Sequence, residues 1–224
     1  MTGPGGPQVT LKLATSLDGR IALSNGQSQW ITGEAARAAV HQLRSEQDVV
    51  LTGVGTVLAD DPQLTVRLPD FKGSQPGRVI LDTRLRTPDT ARLFDAGGPL
   101  LFLCSADVPA HSRAALEARG AAVDIINRFD GLHISLKAAL QRIRELEGER
   151  ILIEAGARVA ASAIKLDLVD RIEWFRAPVF LGGDGWPVLA ALGLERLDEA
   201  PIFERIGISE CGADLHETYT RKRV

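Results

Sequence analysis

Four short, unbroken apolar runs constrain this chain more than any other feature. They are "DVVLTG" (48–53), "RVILD" (78–82), "PLLFLCS" (99–105) and "RILIE" (150–154). Each is too short for a helix and lacks the in–out alternation of a half-exposed strand. They read as strands covered on both faces, the mark of a parallel sheet. Between them lie segments of helical period. "TGEAARAAVHQLRSEQ" (32–47) has Thr32 as its expected N-cap and an apolar stripe of Ala36, Val40 and Leu43. Arg37, His41 and Arg44 follow on a flanking face. "SRAALEARG" (112–120) and "ISLKAALQRIRELEG" (134–148) are helices that stop at glycine, and a glycine turn at Gly156 leads into a small-residue helix to about Leu166. The pattern is α/β, with a mostly parallel, helix-flanked sheet.

The ends differ. "QVTLKLAT" alternates, with Val9, Leu11 and Leu13 on one face and Thr10, Lys12 and Ala14 on the other. "SLDGR" turns the chain, "IALS" is extended and "SNGQSQW" is a polar loop. "AAVDII" (121–126) is a strand and "DRIEWFRAPVFLG" (170–182) a long extended segment. "IFERIGISECGADLHETYTR" reads as two strands around a turn at Gly212, with no helix between them, which predicts antiparallel edges. At 224 residues the chain is expected to form one domain over 9–224 after a flexible tail over 1–8, "MTGPGGPQ".

Composition removes several classes of function. The 26 basic and 29 acidic residues leave a formal charge of −3, which offers no bulk attraction for nucleic acid or anionic lipid. No apolar run approaches bilayer-spanning length. Cys104 and Cys211 form no C-x-x-C pair, so reduced thiols and a cytoplasmic setting are expected. His41, His111, His133 and His216 lack metal-ligand spacing, so no metal is expected and no histidine is given a role. There is no H-x-E with P-C-x-x-C, which excludes a zinc nucleobase deaminase within this chain. "GVGTVL" and "GDGWPV" both fail the six-residue dinucleotide fingerprint, and no P-loop string occurs.

Several positions carry chemical weight. "TGVGTVLADDPQLTVR" (52–67) sets Asp60 and Asp61 side by side after a glycine turn. The turns after "VVLTG" and "ILIE" fall at the carboxyl ends of parallel strands, where open α/β sheets bind ligands. Small residues follow each, so backbone N–H groups can approach an anion. Lys12 stands mid-strand among apolar neighbours and needs a partner, a ligand or a sheet edge to snorkel from. Glu154 ends an apolar strand, as a functional carboxylate or as a cap for the next helix.

Together, "KLATSLDGRIAL", "GQSQWITG", "HQLRSEQDVVLTGVGTVLADDPQLTVR", "RVILDT" and "LIEAG" resemble, in this order, the pyrimidine reductases of riboflavin biosynthesis. These form the reductase half of a bifunctional deaminase–reductase. The resemblance runs from Val9 to the last strands, and its most specific string is "LADDP-L-T-R". It implies a dihydrofolate-reductase-like, three-layer α/β/α fold with antiparallel C-terminal strands, without the deaminase half. It implies NADPH as cofactor and 5-amino-6-(5-phosphoribosylamino)uracil as substrate, reduced at ribosyl C1′. It implies dinucleotide contacts at Ala14, Trp30, Thr56, Asp60, Thr83 and the turn of Gly156, Ala157, Arg158, Val159, Ala160, Ala161 and Ser162. It implies substrate contacts at Ser28, Arg44, Leu64, Arg67 and Glu154, chemistry at Lys12 and Asp60, and a homodimer, for which "IEWFRAPVFLG" is the expected support.

Donor chemistry agrees: a sugar phosphate needs hydroxyl and guanidinium donors such as Ser28, Arg44 and Arg67. Thr83, Arg84 and Arg86 follow a strand end and suit the 2′-phosphate that separates NADP from NAD. The resemblance has "EGG" where this chain has "EAG". Its glycine pair implies an unusual, cis backbone, which Ala155 is expected to strain. Two rival readings are a dihydropterin or dihydrofolate reductase on the same scaffold and a non-catalytic nucleotide-binding module. The first has no 5′-phosphate to engage Arg44 and Arg67. The second leaves Lys12, Asp60 and Glu154 without a task.

Overall fold

Eleven strands and five helices make up a computed structural model that describes residues 7–128 and 132–222. The chain runs β1 (Gln8–Thr15), β2 (Arg20–Ala22), α1 (Glu34–Ser45), β3 (Val49–Gly53), α2 (Val54–Asp60), β4 (Gly77–Leu81) and β5 (Leu100–Cys104). It continues through α3 (Ala110–Ala118), β6 (Ala122–Ile125), α4 (Leu136–Glu145), β7 (Arg150–Ile153) and α5 (Ala157–Lys165). The last strands are β8 (Arg171–Arg176), β9 (Trp186–Pro187), β10 (Phe203–Cys211) and β11 (Asp214–Arg221).

Nine strands form one sheet in the order β10-β11-β8-β1-β7-β3-β4-β5-β6. From β8 to β6 every pairing is parallel, and β11 runs antiparallel to both β8 and β10. The expected parallel sheet with antiparallel C-terminal strands is what forms.

The pleat sorts side chains between two layers. Val9, Leu11, Leu51, Val79, Leu101, Ile151 and Ile153 face α4 and α5, where Leu140, Ile143, Ala160 and Ile164 pack on them. Val50, Ile80, Phe102 and Leu152 face the opposite side, with Val57 of α2 and Leu116 of α3. Ala36 and Val40 of α1 cover Phe175 of β8. Full burial of one such aliphatic chain is worth about 1.5–3 kcal/mol, which is why the four apolar runs take the central places.

Three local expectations change. Residues 53–55 do not turn as a loop; the chain passes from β3 directly into α2 at Val54. Thr32 does not cap α1: the N-cap is Gly33, without a side-chain cap, and Asp214 of the β10–β11 hairpin accepts from its N–H at 2.7 Å. The extended segment after Asp170 keeps strand geometry only to Arg176. The expected tail over 1–8 lies outside the described residues for 1–6, while Gln8 already belongs to β1 and donates to Glu149 O at 2.7 Å.

Candidate active site

The site forms where β1, β7 and β3 end side by side. Leu11 and Ile153 are register partners facing α4 and α5, so the next residues, Lys12 and Glu154, emerge together on the α1 face. Lys12 Nζ lies 3.2 Å from Glu154 Oε2. From α1, Arg44 reaches the same carboxylate, with Nε 2.5 Å from Oε1 and Nη2 3.0 Å from Oε2. The backbone is tied in as well: Thr52 Oγ1 donates to Glu154 O at 2.6 Å. Glu154 is 6% exposed. Burial alone would raise its pKa, but Arg44 and Lys12 outweigh that and hold it at about 2. Glu154 is therefore ionised across the neutral range, with two basic side chains set against its one carboxylate.

Arg44 also donates to Thr65 O at 3.0 Å. With three of its N–H groups engaged, it is an anchor for Glu154 and the 61–67 loop more than a free phosphate ligand. Arg67, at the end of that loop, is exposed and touches Gln63 Oε1 at 3.2 Å. His41, left without a role in the sequence, holds the loop through Nδ1, 3.1 Å from Thr65 O and 3.2 Å from Arg67 N. Which of these contacts is made depends on the ring tautomer. Burial, with Arg44 and Arg67 nearby, keeps the His41 pKa below its ordinary value. The signal was the flanking row Arg37, His41, Arg44 on α1, whose members share one helix face.

Asp60 and Asp61 part company. Ser28 Oγ donates to Asp60 Oδ1 at 3.0 Å. Thr56, one helical turn earlier on α2, accepts from Gly156 N at 3.2 Å, so Thr56 and Asp60 share the face turned toward the strand ends. Asp61 closes α2 in the left-handed region, φ 41°, and accepts from Arg92 N at 2.9 Å. Leu64 also has positive φ, 57°, and its side chain is 2% exposed within the core. Leu64, which the resemblance pairs with the substrate, thus has its side chain packed in the same cluster as Val57 and Ile80.

The rest of the expected dinucleotide set lines the same edge. Gly156 caps α5 without a side-chain bond, which leaves the N–H groups of the first turn, Ala157 to Val159, for an anion. Ala160 and Ala161 are buried and Ala160 packs in the core, so this helix offers backbone at its start and Ser162 further on, not its alanine side chains. Arg158 and Arg84 are exposed. Trp30 is 70% exposed, and the Arg37 guanidinium lies 4.7 Å from its ring centre. Ala14 is half-buried and packs beside Phe175, Ala36 and Val40. Thr83 Oγ1 accepts from Ile134 N at 3.4 Å. Hydroxyls, an uncapped helix start, two exposed guanidiniums and an open aromatic face suit a nucleotide diphosphate with a flat ring at one end. The strain expected at Ala155 is absent: it has no positive φ, and the cis peptide among the described residues is Gln29–Trp30.

Residues 7–221 match the family model described as the RibD C-terminal domain. The chain is 37% identical over 216 residues to the riboflavin biosynthesis protein RibD of Bacillus amyloliquefaciens, covering 96% of this chain and 57% of the relative. It is 34% identical over 218 residues to the 2,5-diamino-6-ribosylamino-4(3H)-pyrimidinone 5′-phosphate reductase of Methanothermobacter thermautotrophicus, covering 96% of this chain and 99% of that one. Among solved structures, form 1 of Acinetobacter baumannii RibD superposes with a TM-score of 0.85 at 32% identity, covering 98% of this chain and 59% of that chain. The chain thus spans a little over half the length of the RibD relatives it matches.

Proposed function

This chain belongs to the RibD C-terminal domain family, and from that premise we propose that it reduces a phosphorylated ribosylaminopyrimidine with NADPH. The substrate is 5-amino-6-(5-phosphoribosylamino)uracil and the product its ribitylamino form. One observation carries the reading: the buried Lys12–Glu154–Arg44 cluster and the Ser28–Asp60 pair meet the start of α5 at adjoining strand ends.

The geometry supports the following division of roles. Gly156 to Ser162, Thr56, Thr83 and Arg84 hold the dinucleotide, while Ala14, Trp30 and Asp60 border its nicotinamide end. Arg67 takes the substrate 5′-phosphate, with Arg44 and Leu64 backbone shaping the loop behind it. NADPH, when bound, supplies the hydride that ribosyl C1′ receives. The ring nitrogen substituent expels O4′, breaking C1′–O4′ and leaving a C1′=N bond. Lys12, positioned by Glu154, gives a proton to O4′. Asp60, fixed by the Ser28 hydroxyl, accepts a hydrogen bond from a sugar hydroxyl and keeps C1′ in place. Net, one hydride and one proton are consumed.

Among the described residues no helix is long and apolar enough to cross a membrane. A cytoplasmic reductase acting as a homodimer completes the proposal. In "IEWFRAPVFLG" the β8 part lies inside the sheet, between β11 and β1, while Val179 and Phe180 beyond it are 41% and 74% exposed. The outward apolar residues Ile206 and Ile208, 54% and 56% exposed, sit on the edge strand β10 and offer a second apolar surface for a partner copy.

The test is NADPH consumption with the purified chain and, in turn, the uracil substrate, its 2,5-diamino-pyrimidinone counterpart and dihydrofolate. Turnover with a ribosylaminopyrimidine and none with dihydrofolate is expected. Turnover with dihydrofolate alone, or NADPH binding without turnover on any of the three, overturns the proposal. An unchanged NADPH/NADH preference in Arg84→Ala would remove Arg84 from the 2′-phosphate.

A further inference from the structure

The 61–67 loop ends on Arg67, and its backbone is held from two sides. Leu64, Thr65 and Val66 are buried, and Arg67 is the next residue and exposed. Gln75 pairs with Val66 as a neighbouring strand would. Its Oε1 accepts from Val66 N at 2.8 Å and its Nε2 donates to Val66 O at 3.0 Å. Both backbone groups of Val66 are spent on that side, so the flanking Thr65 O and Arg67 N–H turn the other way, toward α1. There Arg44 Nη1 donates to Thr65 O at 3.0 Å.

His41 Nδ1 lies between the two, 3.1 Å from Thr65 O and 3.2 Å from Arg67 N. One ring nitrogen serves one of them at a time. Carrying a hydrogen it donates to the oxygen; without one it accepts from the N–H. Thr65 O is already supplied by Arg44. The tautomer with its hydrogen on Nε2 therefore satisfies both backbone groups. A hydrogen on Nδ1 would set a donor against the Arg67 N–H.

We propose that His41 is a positioning residue for the substrate: its neutral ring accepts from Arg67 N–H and so aims the Arg67 side chain at the 5′-phosphate, and protonation of the ring ends that bond. The inference rests on the reading that Arg67 takes the substrate phosphate. The charged groups facing the ring are Arg44 on α1, Arg67 on the loop and Glu154 at the end of β7. Burial and the two guanidiniums keep the ring pKa below its ordinary value, against the opposing pull of Thr65 O and Glu154. The accepting form therefore prevails at neutral pH. Acid reverses the bond. An imidazolium has a hydrogen on each nitrogen, so Nδ1 becomes a donor to Thr65 O, the Arg67 N–H loses its acceptor, and a further cation stands beside Arg44 and Arg67. His41 touches neither the phosphate nor C1′ in this scheme, so its loss reads in KM and not in kcat.

Steady-state kinetics of the wild type, His41→Ala and His41→Asn test this, with calorimetric titration of ribose 5-phosphate in parallel. Asparagine keeps an acceptor near the place of Nδ1 and does not titrate. At about pH 8, His41→Ala is expected to raise KM for the ribosylaminopyrimidine about three- to tenfold, the worth of one hydrogen bond, with kcat held within about twofold. His41→Asn is expected to recover most of that loss. From about pH 8 to about pH 5 the wild-type KM is expected to climb relative to that of His41→Asn; the substrate phosphate, whose second pKa is about 6, titrates in both and cancels from the ratio. An unchanged KM in His41→Ala, or a ratio that stays flat in acid, overturns the inference while the proposed function stands. A wild-type KM that falls in acid relative to His41→Asn also overturns it, because His41 would then hold the phosphate by its charge. Where no candidate substrate turns over, ribose 5-phosphate binding that His41→Ala weakens and His41→Asn restores supports the inference although the proposed function fails. No binding of ribose 5-phosphate to that inactive wild type overturns both.

Discussion

Glu154 is the residue on which the site turns. It is buried, carries both Lys12 and Arg44, and closes the end of β7. Removing one member of a buried ion cluster leaves the others uncompensated, at about 3–5 kcal/mol. Glu154→Gln is therefore expected to lower unfolding stability in urea by that amount at neutral pH. The acid response has a definite sign. With its folded pKa at about 2 against an ordinary 4.5, Glu154 contributes stability that is complete above 4.5 and is lost as pH falls toward 2. Denaturant titrations across that window should show a steep decline in the wild type and a shallower one in Glu154→Gln. The adjacent carboxylates give a second prediction. Asp60→Asn is expected to cut kcat by about 100-fold, the usual scale for a group engaged with the reacting sugar. Asp61→Asn is expected to leave kcat intact and to cost only stability, since Asp61 serves as the left-handed cap of α2 and as acceptor for Arg92. Equal kinetic losses in the two variants would contradict this division.

At the scale of elements, the helices α2 and α5 set the cleft by how closely they approach the strands before them. A Cβ at Gly53 would meet Val159 Cγ2 at 3.0 Å, so α5 approaches the end of β3 closely enough that a side chain there would force Val159 to shift. Gly53→Ala should destabilise by about 1–3 kcal/mol, as overpacking does. Adding Val159→Ala should recover part of that loss, and strict additivity in the double-mutant cycle would argue against the contact. The short helix α2 was hidden in the sequence behind its glycines, Gly53 and Gly55. Its partners are distant: Val57 packs among residues of β3, β4 and β7, and Thr56 meets Gly156. Seven residues carry too little helical propensity to declare themselves without such contacts. The longer α1, α4 and α5 were legible because several turns of apolar spacing repeat in each.

For the whole molecule, the sheet has two edges, β6 and β10. An edge strand presents unpaired N–H and C=O groups, and β10 adds Ile206 and Ile208 facing outward. The proposed homodimer predicts a dimer in sedimentation at micromolar concentration and a shift to monomer in Ile208→Lys, with the thermal midpoint of the monomer fold retained. A wild-type monomer under the same conditions would remove the dimer from the proposal.

The sequence by itself determined the parallel core, the alternation that puts Lys12 and Ala14 opposite Val9, Leu11 and Leu13, and the string from Thr52 to Arg67 that marks the family. These are local properties of period and residue type, and they survive without knowledge of any partner. Only the tertiary structure decided that Arg44 turns onto Glu154, 110 positions away, that Leu64 points into the core and that Asp107 meets Arg128 across 21. It also decided that His41 clasps the 61–67 loop and that β8 is interior while β10 is an edge. The physical reason is common to all of these. A charge or a polar ring takes the best partner that folding brings within about 3 Å, and which partner that is depends on strand order and helix placement, not on the residues beside it in the chain.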